Sequence, residues 1–408
     1  PTTAAHRFLA DHTEGYRVAA ASDVLVPSTT GYYGIDTVGG HSFFSRTWGE
    51  LLTALDPAAF VAPTIATLNP QEPELGSQPG LDRLAARYYV SGDMFPIPGA
   101  HVQTGDEDGR IPVSGAAPVR ATIMPTGLRG IGIRVASAAG PFRPDSQVTV
   151  ELTDSRGNLI ARGNRPIPNA IAPSEIYLPL VAEDAGDRPG PWTVTASFTG
   201  TPDLVLRAAR GQPQLVEVRP VEDGLTLVDV VDGVTIYQRS GALPRIRWAA
   251  QTLVVPDADV RVGVVARGRY PADTVVLSAP GEAADARPAD VQVLEDSGDT
   301  IRVRVRAQGA GYLVVADAIQ ADWTAEVDGR ASPIVDADHA LGAVHVEAGQ
   351  HDVVLRYTPA GRTTGAAISL GSLALLGLMC LPARRWVARR RRPVGASRAA
   401  TEAVPVDT

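Results

Sequence analysis

The sequence has no lysine, so all 37 of its Lys-plus-Arg positions are arginine, a compositional bias that assigns no site by itself. It has one cysteine, Cys380, set inside an apolar run. The remainder of the chain therefore has no disulfide, no Cys-based metal site and no cysteine nucleophile, and must be held together by packing. Aromatic residues make up only 5% of the chain, whereas Gly (40) and Pro (33) are abundant, which favours many short elements joined by turns over long helices. No G-x-S-x-G, P-loop or strand-to-helix G-x-G-x-x-G occurs; Gly130-Ile131-Gly132 lies in an alternating strand pattern. No repeat of fixed period is present.

What is present is a run of 21 residues without a charge, 363–383, followed by Arg384, Arg385, Trp386 and Arg389 to Arg392. As a helix rising ~1.5 Å per residue, the run is long enough for a bilayer core of roughly 30 Å. Ser, Thr and Gly are its only polar relief, whereas a soluble helix of this length should show a polar face. The arginines after it predict a cytoplasmic tail and place residues 1–362 outside the cytoplasm, at the cell membrane. Residues 383–408 carry seven Arg against Glu402 and Asp407, a net of +5, which leaves −13 of the formal −8 to the rest. An acidic exterior with its cations at the membrane predicts lipid as a partner and excludes nucleic acid. The chain starts at Pro1 without an apolar leader, so a signal or earlier spans before Pro1 are expected.

Along the chain, residues 1–100 read as a small mixed α/β part. Thr2 or Thr3 caps a short helix, and residues 17–21 follow as a strand. Residues 45–55 form the clearest helix, with Trp48, Leu51, Leu52 and Leu55 in one apolar stripe stopped by Asp56-Pro57. Residues 81–87 read as a helix leading into a strand at Tyr88. The acidic, Gly-flanked stretch 101–112 reads as a linker. Residues 113–210 alternate with period two and read as an inserted β-sandwich, with a hairpin turn at 154–158; residues 211–362 continue as strands in a membrane-proximal β-rich domain. The expected fold is mainly β with the small α/β N-terminal part, β-sandwich (jelly-roll or immunoglobulin-like) modules and one C-terminal transmembrane helix, 363–383, before the basic tail 384–408.

Four residues stand out as candidate ligand contacts. His41 follows a Gly-rich loop and precedes Phe43, Phe44 and Arg46, a mixture suited to an anionic or glycosidic ligand; the alternative is a loop packed on the Trp48 helix. Trp323 beside Asp322 suits a sugar face, or else plugs its own hairpin, and Asp317 ends a strand as a polar contact or a turn cap. His339, His345 and His351 recur every six residues, but with no H-x-H or H-E-x-x-H pair no metal site is expected, and no cofactor either. Carboxylates are plentiful, yet no spacing pairs them as a glycosidase requires, so no catalytic residue is assigned.

Three ordered segments carry a family resemblance: Leu313-Val314-Val315-Ala316-Asp317, then Asp322 to Arg330 around Trp323 and Asp328-Gly329, then Ala343 to Tyr357 with Gly349-Gln350-His351, followed at once by the apolar run. This order resembles the C-terminal end of the YfhO-like polytopic bacterial membrane proteins. Tyr33 to His41, residues 81–90 and Ala242-Leu243-Pro244-Arg245 resemble that family's outer region, so the likeness extends over 1–100 and 220–382. The resemblance implies a GT-C-type glycosyltransferase architecture that uses lipid-linked sugars to build cell-envelope polysaccharide or glycosylated teichoic acids. It also implies the remaining transmembrane helices of a parent protein as partners, with a glycan acceptor or lipid-linked sugar as ligand and the catalytic part outside this chain. The 113–210 insertion has no counterpart in the pattern. The competing reading is a single-span surface protein whose β-domains bind glycan or protein without catalysis; apolar spans encoded before Pro1 would separate the two.

Overall fold

The computed structural model describes residues 3–22, 24–25, 29–92, 95–113, 117–167, 174–180 and 190–380. The chain is mostly β, with multiple sheets, a few short helices and one apolar C-terminal helix. Residues 1–357 form one compact unit and 358–408 a second.

Helix α1 (Ala4–His12) starts where Thr3 Oγ1 accepts the His6 N–H, and buries Ala5 and Leu9. It covers a sheet ordered Arg17–Ala20, Ala86–Gly92, Val234–Arg239, Leu225–Val231, the first pair parallel. That sheet is completed by residues lying more than a hundred positions downstream of its first strands. Helix α2 (Arg46–Leu55) has Ser45 as its cap, and its stripe of Trp48, Leu51, Leu52 and Leu55 is buried. The expected 81–87 helix stops early. Helix α3 (Gly80–Arg83) ends because Ala85 takes φ +59° and its carbonyl accepts the Arg17 N–H, so Ala86 already begins a strand.

Residues 100–219 form two sheets around one core. A four-stranded sheet runs Leu159–Pro166, Gln147–Thr153, Trp192–Thr199, Val119–Ile123. The facing sheet is built on Gly130–Ala138, flanked by Leu204–Ala209, Glu175–Pro179 and Leu215–Arg219. Period-two alternation sends Val148, Val150, Trp192, Val194 and Phe198 from one sheet, and Ile131, Ile133, Leu178 and Leu206 from the other, into that core. In the 154–158 turn, Asp154 Oδ1 accepts the Arg156 and Asn158 N–H groups, each at 2.8 Å.

The 101–112 stretch, expected as a linker, is largely strand. Ala100–Gln103 pairs with the Leu215–Arg219 strand and Gly109–Val113 with the Leu204–Ala209 strand. Its acidity does not mark a linker because partners for its carboxylates come from about a hundred residues away. Glu107 pairs with Arg110 and with Arg207 (2.6 Å), which hold its carboxyl below the usual range, and Asp108 accepts the Arg210 N–H at 2.8 Å.

Downstream, a six-stranded sheet is ordered Ile246–Ala249, Gly311–Val315, Leu341–Val346, Ile334–Ala337, Thr274–Leu277, Gln251–Val254. A five-stranded sheet covers one of its faces, in the order Ala289–Asp296, Thr300–Ala307, Gly349–Tyr357, Trp323–Val327, Arg330–Ser332. The Gly311–Val315 strand is apolar throughout because both faces are covered. Leu313 and Val315 enter the core shared with the five-stranded sheet, and Tyr312 and Val314 enter the core shared with α2. Residues 211–300, read as continuing strands, also contain helix α4 (Ala258–Arg267), the crossover between the parallel strands Gln251–Val254 and Thr274–Leu277. Asp257 caps the helix by accepting the Val260 N–H at 2.9 Å, and Gly268 closes it at φ +58°.

The second unit contains helix α5 (Arg362–Cys380), the one helix among the described residues long and apolar enough to cross a membrane. Its nineteen residues span about 28 Å. Ile368, Leu370, Leu373, Leu375, Leu376 and Leu378 are all more than half exposed, a surface suited to lipid or other helices rather than water. Residues 381–383 of the expected span, Trp386 and the arginine-rich tail lie outside the described residues.

Candidate functional site

A cleft of about 560 Å³ is built by the Gly-rich loop before α2. Gly39 is required there, since a Cβ would lie 2.3 Å from the Ala66 carbonyl oxygen, and Gly40 sits at φ +118°. Pinned this close to the Ile65–Ala66 strand, the loop delivers His41, Ser42, Phe43 and Phe44 to the cleft wall. Trp48 forms part of the floor and donates its indole N–H to the Val38 carbonyl at 3.1 Å. Phe44 packs edge-on against Phe60 at 5.5 Å, while Phe43 is 91% exposed. Thr30, Asp36, Thr37, Ser45 and Gln320 supply hydroxyl, carboxylate and amide groups.

The guanidinium of Arg17 also lines the cleft, 5.4 Å from the Trp48 ring centre. It is already committed. Arg17 donates to the Leu84 carbonyl at 3.3 Å, to the Ala316 carbonyl and to the Asp317 carboxylate. The second oxygen of Asp317 pairs with Arg245, which also pairs with Asp296. An arginine so engaged is a clamp joining the first strand to the six-stranded sheet, and leaves little positive charge for an anion. The cleft therefore suits a neutral polyhydroxylated ligand better than a phosphate: aromatic faces for apolar ring surfaces, short polar groups for hydroxyls.

Of the four candidate contacts, only His41 lines this cleft. Arg46 stands exposed on α2 and pairs with Glu50 at 3.7 Å. Asp317 lies behind the wall, holding Arg17 and Arg245 rather than capping a turn. Trp323 lines a separate groove of about 440 Å³, half-buried and tilted against Tyr357 with ring centres 5.6 Å apart; Gln320 borders both spaces. Arg17 and Gln320 carry no local motif that marks them in the sequence, and Trp48 is legible there only as a core residue.

The three histidines spaced by six do not converge. His339 Nε2 meets Glu50 at 3.0 Å, His345 Nδ1 meets Glu282 at 3.2 Å and His351 Nδ1 meets Asp328 at 2.7 Å. Burial lowers the His339 pKa despite Glu50. Asp328 is held below the usual carboxylate range by the Asp352 N–H and then by His351.

Comparison with known families adds one match. Residues 282–369 fit the family model for the bacterial membrane protein YfhO. The last part of this chain is YfhO-like. The YfhO-like segment runs from the loop at Glu282 through the five-stranded sheet and into α5, so strand and helix fall in one family pattern. It contains Asp317 and Trp323 but not His41 or Arg46, and it is shorter than the likeness read from the sequence, which reached 1–100. No curated protein matches the chain. Among solved structures, the chain is similar to the arabinofuranosyltransferase AftD from Mycobacteria at 14% identity and a TM-score of 0.18, covering 78% of this chain and 29% of that one. A mutant form gives 13% and 0.17, covering 62% and 14%. These scores lie below the range of a shared fold, and the chain spans less than a third of that enzyme.

Proposed function

We propose that this chain is the extracytoplasmic accessory region and closing membrane helix of a polytopic, GT-C-type glycosyltransferase that modifies a cell-envelope polymer, with the catalytic carboxylates outside these residues. The observation that carries the reading is the YfhO-like match, which runs without a break from the Gly349–Tyr357 strand into α5 and so ties the β-domain to a membrane helix. On this reading residues 1–362 lie outside the cytoplasm, the two-sheet module of 100–219 is an added acceptor-holding domain, and the cleft over Trp48 holds a glycan. Topology is testable because these 408 residues contain a single cysteine, Cys380. In a Cys380→Ser background, Arg330→Cys should react with a membrane-impermeant maleimide in intact cells, and Ala396→Cys only after permeabilisation. The reverse pattern would refute the orientation.

The cleft is supported as a glycan site by its exposed aromatic beside hydroxyl and amide groups, with its arginine already neutralised. Phe43→Ala removes a side chain that is 91% exposed, and so should leave the melting temperature unchanged. It should weaken binding of envelope oligosaccharides, followed by saturation-transfer NMR, by about tenfold, as loss of one stacked ring of roughly 1.4 kcal/mol implies. Unchanged binding would remove the cleft from the proposal.

A further inference from the structure

We propose that Glu282, His345 and Glu347 form a site for a divalent transition-metal cation that fastens the 279–288 loop to the end of the Leu341–Val346 strand of the six-stranded sheet. One ligand atom from each residue lies within 4.8 Å of the others, and His345 Nδ1 is 3.2 Å from Glu282 Oε2. Donors on opposite sides of a metal with bonds of about 2.1 Å are about 4.2 Å apart, so a small rotation of the two exposed carboxylates closes the set. His345 lies on the Leu341–Val346 strand and Glu347 directly follows it, two residues on, with its carboxylate on the same side as the imidazole.

The third ligand comes from a loop that is itself fixed. The Tyr312 hydroxyl donates to the Glu282 carbonyl at 3.0 Å, and Gly281 packs so close that a Cβ would lie 2.3 Å from that hydroxyl. Asp285 and Ala286 donate their N–H groups to the Ala310 and Ala250 carbonyls at 2.9 and 3.0 Å. The imidazole is oriented by two contacts outside the cluster: an edge packing on Tyr312 at 5.2 Å, and a hydrogen bond from Nε2 to the Ala283 carbonyl at 3.0 Å. A carbonyl only accepts, so Nε2 carries the hydrogen and Nδ1 presents its other side to the carboxylates. This is the arrangement by which a backbone carbonyl fixes the tautomer of a metal-binding histidine.

A proton shared between His345 and Glu282 would account for one carboxylate but not for Glu347. Among the described residues no arginine pairs with either glutamate, so two negative charges converge on one imidazole. Both carboxylates are exposed, so a dication can draw them onto the imidazole without displacing an arginine. One imidazole and two carboxylates suit Zn²⁺ or Mn²⁺ better than Ca²⁺, which prefers six or more oxygens.

The test is calorimetric titration of Zn²⁺, Mn²⁺ and Ca²⁺ into the full chain, prepared without an affinity tag that binds metal. One equivalent of Zn²⁺ or Mn²⁺ should bind, with Ca²⁺ at least tenfold weaker. Glu347→Gln and Glu282→Gln should each weaken binding at least tenfold while leaving the metal-free melting temperature unchanged. Bound metal should also slow amide exchange at residues 281–286. Absence of saturable binding up to millimolar metal, or binding unaffected by Glu347→Gln, overturns the proposal.

Discussion

Asp317→Ala should lower the free energy of unfolding by about 3–5 kcal/mol, the range for breaking a largely buried ion pair from one side. The Asp317 carboxylate lies between two guanidiniums, and the side chains of Arg17 and Arg245 are only 10% and 11% exposed. Alanine leaves Arg17 desolvated without a carboxylate and facing Arg245, which keeps its pair with Asp296. Arg17 would keep its bonds to the Leu84 and Ala316 carbonyls, so the cost is not complete collapse. Because Arg17 lies 5.4 Å from Trp48, urea unfolding followed by tryptophan fluorescence should show both the lower midpoint and an altered native signal. Asp317→Asn should fall between wild type and Ala, keeping an acceptor without the charge. A loss under about 1 kcal/mol would mean that the cluster behaves like an exposed pair, and that the first strand is held to the six-stranded sheet by other contacts.

Residues 113–210 expressed alone should not fold cooperatively, whereas residues 96–226 should. Cutting at 113 and 210 removes the Leu215–Arg219 strand from the edge of Gly130–Ala138, and most of Gly109–Val113 from the edge of Leu204–Ala209. It discards Leu215, Val216 and Val218, each no more than 3% exposed. At about 1.5–3 kcal/mol per buried aliphatic side chain, the loss rivals the entire stability of about 5–15 kcal/mol expected of a domain. Two newly opened sheet edges would also favour aggregation. The longer piece keeps these strands, together with Ile97 against Gly130 and the bonds of Arg129 to Asp223 and to the Leu225 carbonyl. Circular dichroism and urea unfolding of the two pieces would decide it, and a sigmoidal transition in the shorter one would contradict the expectation.

Local features were legible because they depend on residues within a few positions of one another. Ser45 and the stripe from Trp48 to Leu55 define α2 within eleven residues, and Trp192–Thr199 shows its buried face by alternation alone. Asp328 and Gly329 adopt the positive φ values that an Asp-Gly turn requires. Where two local patterns competed, neighbours decided: the alternating valines of 260–265 fit a strand by period, but the Asp257 cap and Gly268 stop prevailed once a crossover was needed between parallel strands.

By itself, the sequence determined the β-rich class, the uncharged run of 363–383 and the ordered segments that mark the YfhO-like end. Tertiary structure alone decided that both ends of the acidic stretch 101–112 pair as strands and that Arg17 meets Asp317 three hundred residues away. It alone also brought Glu282 to His345 and Glu347, and left Arg46 and Trp323 apart from the His41 cleft. The reason is that closing a long loop costs free energy only as the logarithm of its length. Distant partners are therefore available to any residue, and nothing in the residues beside it says which one the fold will bring.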